Sequence, residues 1–388
     1  MQPAHIVGVG MTPFARHPDR SLKDLAREAV TAALVDAGIA QDQLQAAYCA
    51  NSMAGIVTGQ ESIRGQVVLN AMGITGIPVV NVENACATGA TAAHQGWLAV
   101  ASGLHEAVLV VGFEKLYHPD RQVSMRALAS ATDVELANSP AGQSAFLTES
   151  SKRLERYMQA SGAALRHVAL VAAKSRAHAS LNPLAHYREA NTVEEILAAP
   201  VVAPPLTRLM CSPISDGAAA IVICSDAFRR RHANGAAVRI AASVLRSGGT
   251  PGPLAGRTAQ DAAEAAYAMA GLTPADISVA EVHDTTAASE LMLYEKLGFC
   301  EANGGPAFIE SGAPALGGRL PVNTSGGLIA RGHPVGATGV AQLCELVWQL
   351  RQTAGARQVP GAKAALAHNA GGTVCGESAS VAVHILTV

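Results

Sequence analysis

The chain has 388 residues, 49% of them hydrophobic and 15% charged, with a formal net charge of -2 at pH 7. That length supports a large buried core spread over two or three domains, and near-neutral charge leaves no electrostatic footprint for nucleic acid. Seven cysteines without one Cys-x-x-Cys pair argue against a metal site and for reduced thiols inside the cell.

The N-terminal run 1–8 lacks the basic region and long apolar stretch of a secretory leader. Apolar runs such as 107–113 are too short to span a bilayer, so a cytoplasmic protein with no membrane span is expected. Ile6-Val7-Gly8-Val9 reads as a first strand. Leu22, Leu25, Ala29, Ala32 and Ala33 then recur at helical spacing, and Gly38 supplies a natural stop. Strands follow at 44–50 and 79–82, a small-residue helix at 87–101, and a short apolar strand at 106–112 of the kind buried in a central sheet. From 115 to 205 the composition turns polar around helices at 145–160 and 165–178, which suggests an inserted loop domain where substrate contacts collect. A buried strand returns at 216–223. The block Arg229-Arg230-Arg231-His232 is a solvated element end.

The second half repeats the order of the first. A strand starts at Val238, a helix runs from 259 to 270, and Gly271 ends it. A shift of 233 residues carries Gly38 onto Gly271 and Leu44 onto Ile277. Helix, stop, loop length and strand matching in sequence point to internal duplication, with halves at 1–235 and 236–388, each expected as a mostly parallel sheet covered by helices. Further along, Cys86-Ala87-Thr88-Gly89-Ala90-Thr91 falls on His333-Pro334-Val335-Gly336-Ala337-Thr338, a shift of 247. The difference between the shifts places a small insertion around 300–320.

A cysteine from one half and a histidine from the other suggest nucleophilic chemistry at their junction. Cys86 opens a helix, where unpaired N–H groups and the dipole favour thiolate; a buried structural thiol is the plainer alternative. His333 in its Gly-His-Pro turn can draw off the thiol proton or donate to a carbonyl oxygen gaining charge, or simply cap a helix. His283-Asp284 closes a strand at 278–282: His283 can orient a water or a thioester carbonyl, and Asp284 can cap the helix from Ala287. Asn323-Thr324-Ser325-Gly326-Gly327 makes a polar turn that fixes the histidine network or merely holds itself. Gly371-Gly372 leaves backbone N–H groups free for an oxyanion hole, and Cys375 is either a second acid/base near Cys86 or a packed thiol. Gly8-x-Gly10 lacks the remaining spacing of a dinucleotide fingerprint, and no Gly-x-Ser-x-Gly elbow is present.

Five motifs in order then resemble the thiolase superfamily over essentially the whole chain, in the branch of sterol carrier protein X and the archaeal acetoacetyl-CoA thiolases. They are Asn84-Ala85-Cys86-Ala87-Thr88-Gly89, Ser215-Asp216-Gly217-Ala218-Ala219-Ala220, Glu281-Val282-His283-Asp284, Asn323-Thr324-Ser325-Gly326-Gly327 and Gly332-His333-Pro334-Val335-Gly336-Ala337-Thr338-Gly339. The resemblance implies an α/β thiolase fold of two duplicated halves in five layers, α-β-α-β-α. It implies that Cys86 takes up an acyl group as a thioester, that His333 activates it, and that His283 and His333 line a first oxyanion hole. The N–H groups of Cys86 and Gly371 would form a second. Asn323, Ser325, Gly326, Gly371 and Gly372 are the expected ligand contacts, with coenzyme A and acyl-CoA as substrates and no covalently bound cofactor. Thiolytic cleavage of a 3-oxoacyl-CoA, or the reverse Claisen condensation, follows, in a homodimer or homotetramer with a possible small OB-fold partner.

One departure stands out. The second cysteine that moves the α-proton in ordinary thiolases is Asn369 here, and its position in sterol carrier protein X relatives is Thr285. Cys375, four residues past Gly371, is the thiol left to replace it. Without it, the alternatives are a specialised acyltransferase with a non-standard acceptor, or a CoA-ester binding scaffold.

Overall fold

The computed structural model describes residues 1–135, 145–232, 236–249 and 256–388. The strands are β1 (Ala4–Met11), β2 (Ala46–Ala50), β3 (Val79–Val82), β4 (Ala107–Glu114), β5 (Val201–Ala203), β6 (Leu206–Thr207), β7 (Gly217–Ser225), β8 (Val238–Ser247), β9 (Val279–Glu281), β10 (Ala364–Val374) and β11 (Glu377–Thr387). The helices of the first part are α1 (Leu22–Ala37), α2 (Ala54–Thr58), α3 (Arg64–Asn70), α4 (Thr88–Ala101), α5 (Arg121–Ala129), α6 (Ala145–Ser161), α7 (Leu165–Ser180), α8 (Val193–Ala198) and α9 (Asp226–His232). The second part adds α10 (Thr258–Ala270), α11 (Ala287–Lys296), α12 (Gly305–Glu310), α13 (Gly327–Arg331) and α14 (Val335–Leu350).

The repeat read from the sequence reappears in local geometry. Ser21 and Asp24 form a reciprocal capping box at the start of α1, which satisfies two of its orphan N–H groups. Gly38 ends that helix at φ 68, ψ 30, and Gly271 ends α10 at φ 67, ψ 31. A single 3-10 turn follows each, at Gln41–Gln43 and Pro274–Asp276.

Nine strands form one sheet in the order β3-β2-β4-β7-β1-β8-β11-β10-β9. From the central β1–β8 pair outward, β1-β7-β4-β2 mirrors β8-β11-β10-β9, and an isolated parallel bridge between Ala280 and Val322 stands where β3 stands in the first half. Pairing is parallel only for β2–β3, β2–β4 and β9–β10; the other five pairs are antiparallel. The expectation of mostly parallel halves is therefore corrected. The last strand of each half runs antiparallel to its neighbour: β11 returns beside β10 through a tight turn at Cys375-Gly376, where a hairpin forces that pairing, and β7 returns beside β4 after the insertion.

Alternate residues of the strands feed separate cores, as the pleat dictates. Val108, Val110, Ile221 and Ile223 pack with α4 and α14 and with Ala365 and Ala367 of the other half. Leu109, Val111 and Val222 pack outward on α1. On the far side, Leu366, Val383 and Ile385 pack on α10 and α11. The two halves of the sheet thus lie on either side of α4 and α14, giving layers of helix, half-sheet, helix, half-sheet, helix. Inserted helices α6 and α7 cover the second half's outer face, where Leu154, Val168 and Val171 join the cluster of Leu291 and Tyr294. Among the described residues no helix is long and apolar enough to cross a membrane.

Candidate active site

Strand β3 runs through Glu83 and Asn84 into a 3-10 turn, Ala85–Ala87, that feeds α4. Ala85 takes φ 48, a left-handed conformation that costs an L-residue roughly 1–2 kcal/mol. Hydrogen bonds hold it there: Ala85 N–H to Glu83 Oε1 at 2.6 Å, Asn84 N–H to Thr88 Oγ1 at 2.8 Å, and Thr88 Oγ1–H to Ala85 O at 2.6 Å. Cys86 is thereby fixed, half-buried, at the head of α4.

His333 and Pro334 occupy the same place at the head of α14, and the two helices cross where the duplicated glycines meet. A methyl added at Gly339 would lie 2.2 Å from Ala90 N, and one added at Gly89 would lie 2.8 Å from Gly336 O. Only side-chain-free backbone permits so close a crossing, and it brings both helix N-termini to one point. His283 enters from the end of β9. The sulfur of Cys86 and one ring nitrogen each of His283 and His333 lie within 4.8 Å of one another, and the two rings meet edge to face with centroids 5.4 Å apart.

Burial decides the protonation of this cluster. It pushes the Cys86 thiol up to about 12, against hydrogen bonds from the Gly372 and Cys86 N–H groups and with the charges of Glu114 and Glu83 adding to the rise. His333 is held down to about 3 by burial and then by the Arg331 charge; His283 is held well below its ordinary value by burial first and by His333 next. The helix N-terminus expected to favour thiolate is outweighed by desolvation. Burial thus disfavours the charged form of all three side chains at rest.

The N–H groups of Cys86 and Gly372 offset part of the rise in the Cys86 thiol, and Gly371, the residue the resemblance implied, adjoins the second of them. Gly372 has φ 65 and no partner across the hairpin, while Gly371 and Thr373 pair with Ser380 and Ser378. Gly371 packs on the cysteine turn, with Asn84 O and Ala87 N each 2.3 Å from where a Cβ would stand.

Other predicted residues are placed elsewhere. Cys375 is exposed in the β10–β11 turn at φ 49 and is not gathered with Cys86, because the hairpin carries its tip out to solvent. Asn323, Ser325 and Gly326 are fully buried, and the side chains of the first two bond to protein groups. Asn323 donates to Glu290 at 2.7 Å and accepts from Val282 N–H at 2.8 Å; Ser325 donates to Glu281 at 2.6 Å and accepts from Arg331 at 3.2 Å. A Cβ on Gly326 would meet that of Ala179 at 2.5 Å. These residues brace the turn before His333 and offer no open surface to a ligand. Asp284 caps α13, taking Leu328 N–H at 2.7 Å, and not α11 as expected.

Several supporting contacts escaped sequence reading. Buried Glu114 accepts Gly336 N–H at 2.9 Å, Met53 N–H at 3.2 Å and Asn51 Nδ2–H at 3.1 Å, so it caps α14. Thr338 lies 2.7 Å from His333 Nδ1. Asn369 lies 3.1 Å from His283 Nδ1 and 3.0 Å from Gln342. A stripe of buried polar residues on α14, Thr338, Gln342, Glu345 and Gln349, was the available signal.

A family profile described as "Thiolase, N-terminal domain" matches residues 4–227, and one described as "Thiolase C-terminal domain-like" matches residues 251–385. The chain is 39% identical to an acetyl-CoA acetyltransferase of Methanothermobacter thermautotrophicus over the full length of both. It is 36% identical to sterol carrier protein 2 of Bos taurus, over 94% of this chain and 69% of that protein. A solved structure described as an Ltp2-ChsH2(DUF35) aldolase superposes with a TM-score of 0.80 at 26% identity, covering 100% of this chain and 98% of that one.

Proposed function

The chain belongs to the thiolase family, and from that premise we propose that it is an acyl-CoA C-acyltransferase working through an acyl-Cys86 thioester. The observation that carries the reading is the convergence of Cys86, His283 and His333 within 4.8 Å. In the cleavage direction Cys86 attacks the 3-oxo carbonyl of a 3-oxoacyl-CoA while His333 takes the thiol proton. The Cys86 and Gly372 N–H groups receive the oxyanion. The carbon–carbon bond breaks, and the departing acetyl-CoA enolate is held at its thioester oxygen by His283. His333 returns the proton to the enolate carbon. Coenzyme A then attacks acyl-Cys86, its thiol proton passing through His333 back to the cysteine sulfur.

This route needs no second cysteine. Asn369 is engaged with His283 and Gln342, and Cys375 lies at the surface, so the α-proton falls to His333. In condensation the same steps run backwards. The test is steady-state thiolysis of acetoacetyl-CoA with His333→Ala and Cys86→Ala as controls. We expect ping-pong kinetics in the wild type, with both variants at least about 1,000-fold slower. Wild-type protein that leaves acetoacetyl-CoA intact in the presence of coenzyme A overturns the reading.

The division into halves at 1–235 and 236–388, with the insertion at about 115–205, is supported by the mirrored strand order. Self-association as a dimer or tetramer is supported by β3, the open edge of the sheet, where Val80 is 43% exposed; unpaired edges invite pairing. An accessory partner is favoured by the solved DUF35 complex. A cytoplasmic setting fits seven cysteines that are all free thiols.

A further inference from the structure

Two hydrogen-bond chains on one face of α14 end at the two histidines. The first starts at the His368 carbonyl, which can only accept and takes Gln342 Nε2–H at 3.1 Å. That fixes the Gln342 amide with its oxygen toward Asn369, 3.0 Å away. Two amide oxygens cannot face each other at that distance, so Asn369 turns Nδ2 this way. The second hydrogen of Nδ2 then points to His283 Nδ1 at 3.1 Å. Nδ1 accepts, and a neutral imidazole must carry its proton on Nε2. Asn369 Oδ1 is left buried without a partner, a state that rotation of the amide would relieve if Gln342 permitted it.

The second chain gives the opposite outcome. Thr338 donates its one hydroxyl hydrogen to Pro334 O at 3.0 Å, so it accepts from His333 Nδ1–H at 2.7 Å. His333 Nε2 is therefore bare, buried and unpartnered. Thr338 and Gln342 stand one helical turn apart, so a single helix assigns both protons.

We propose that Gln342 and Asn369 are positioning residues that lock His283 in the Nε2–H form, so that the cluster takes a carbonyl oxygen in preference to a soft cation such as Zn2+. A cysteine and two histidines this close otherwise make a zinc-ligand set. Ligation needs a lone pair on every member, and His283 can supply one only by moving its proton to Nδ1, against the Asn369 N–H. The proposal rests on the reading of His283 as the donor to a thioester oxygen.

Asn369→Asp tests it, because a carboxylate accepts from Nδ1–H and reverses the tautomer. Histidine 15N spectra should report Nε2–H for His283 in the wild type and Nδ1–H in the variant. Thiolysis should fall about 100-fold or more, the usual effect of losing one oxyanion donor, and Zn2+ should inhibit the variant at concentrations that leave the wild type active. Gln342→Leu, which frees the Asn369 amide to rotate, should slow thiolysis about 10-fold and show a mixture of tautomers. Wild-type His283 protonated at Nδ1 overturns the proposal, as does Asn369→Asp with an unmoved tautomer, whatever its stability. If the wild type lacks thiolysis altogether, the functional reading fails, while the spectra and calorimetric Zn2+ titration of both proteins still decide this one.

Discussion

Replacing Gly339 by alanine should uncouple folding from catalysis. The new methyl would stand 2.2 Å from Ala90 N and 2.9 Å from Ala90 Cα, about 1.2 Å short of ordinary contact. Those atoms are backbone, so no side chain can swing aside, and α4 must move away from α14. Overpacking of this kind costs about 1–3 kcal/mol, partly offset by the roughly 1 kcal/mol that alanine gains over glycine in a helix. The protein should fold with a modestly lowered Tm. Cys86 rides on α4 and His333 on α14, so a shift near 1 Å falls on the distance between nucleophile and base, where displacements of that size cost about 100-fold. Acetoacetyl-CoA thiolysis and thermal unfolding, measured together, check this. Gly96→Ala is the control. Its methyl meets Val110 Cγ2 at 2.7 Å, further along α4, so it should lower Tm comparably and leave turnover within a few-fold. Near-normal turnover in folded Gly339→Ala protein would refute the claim that the glycine crossing sets the catalytic distance.

Other expectations follow from the same geometry. Cys375→Ala should keep turnover within about two-fold, as suits an exposed turn residue; loss of cleavage would return this thiol to the mechanism. With His333 held down to about 3 and Cys86 raised to about 12, neither partner should put a limb on the acylation rate from about pH 5 to about pH 9, and Glu114, which burial raises to about 7, is the neighbouring group that titrates in that window. Acid removes the base only by protonating His333 far below neutrality, and alkali ionises the thiol only far above it. Single-turnover acylation by the Glu114→Gln variant showing a limb near the ordinary histidine range would contradict neutral resting partners. Glu114→Ala should destabilise the fold by at least about 3 kcal/mol in urea unfolding, since several buried N–H groups lose their acceptor.

Much of the framework was legible in the sequence because it rests on local rules. α1 and α10 follow from helical spacing closed by Gly38 and Gly271, and the pairing of Cys86 with His333 follows from the repeated glycine motif. What stayed hidden depends on direction and depth. Strand order does not reveal that β7 and β11 run antiparallel to their neighbours. The polar turn at Asn323-Thr324-Ser325 reads like a ligand site until Glu281 and Glu290, distant in sequence, are found to consume its hydrogen bonds. Cys375 lies close to Gly371-Gly372 along the chain, yet the hairpin carries it away from the site. Gln342 was invisible because its meaning lies in which amide end faces a carbonyl across the interface between α14 and β10.

The central claim is that Cys86 carries the acyl group. Intact-mass measurement after incubation with acetyl-CoA, followed by peptide mapping, tests it most directly. One acetyl group per chain on the Cys86 peptide, discharged by coenzyme A and absent from Cys86→Ala, is the predicted result. No adduct from acetyl-CoA or acetoacetyl-CoA, or an adduct that persists in Cys86→Ala, would contradict it.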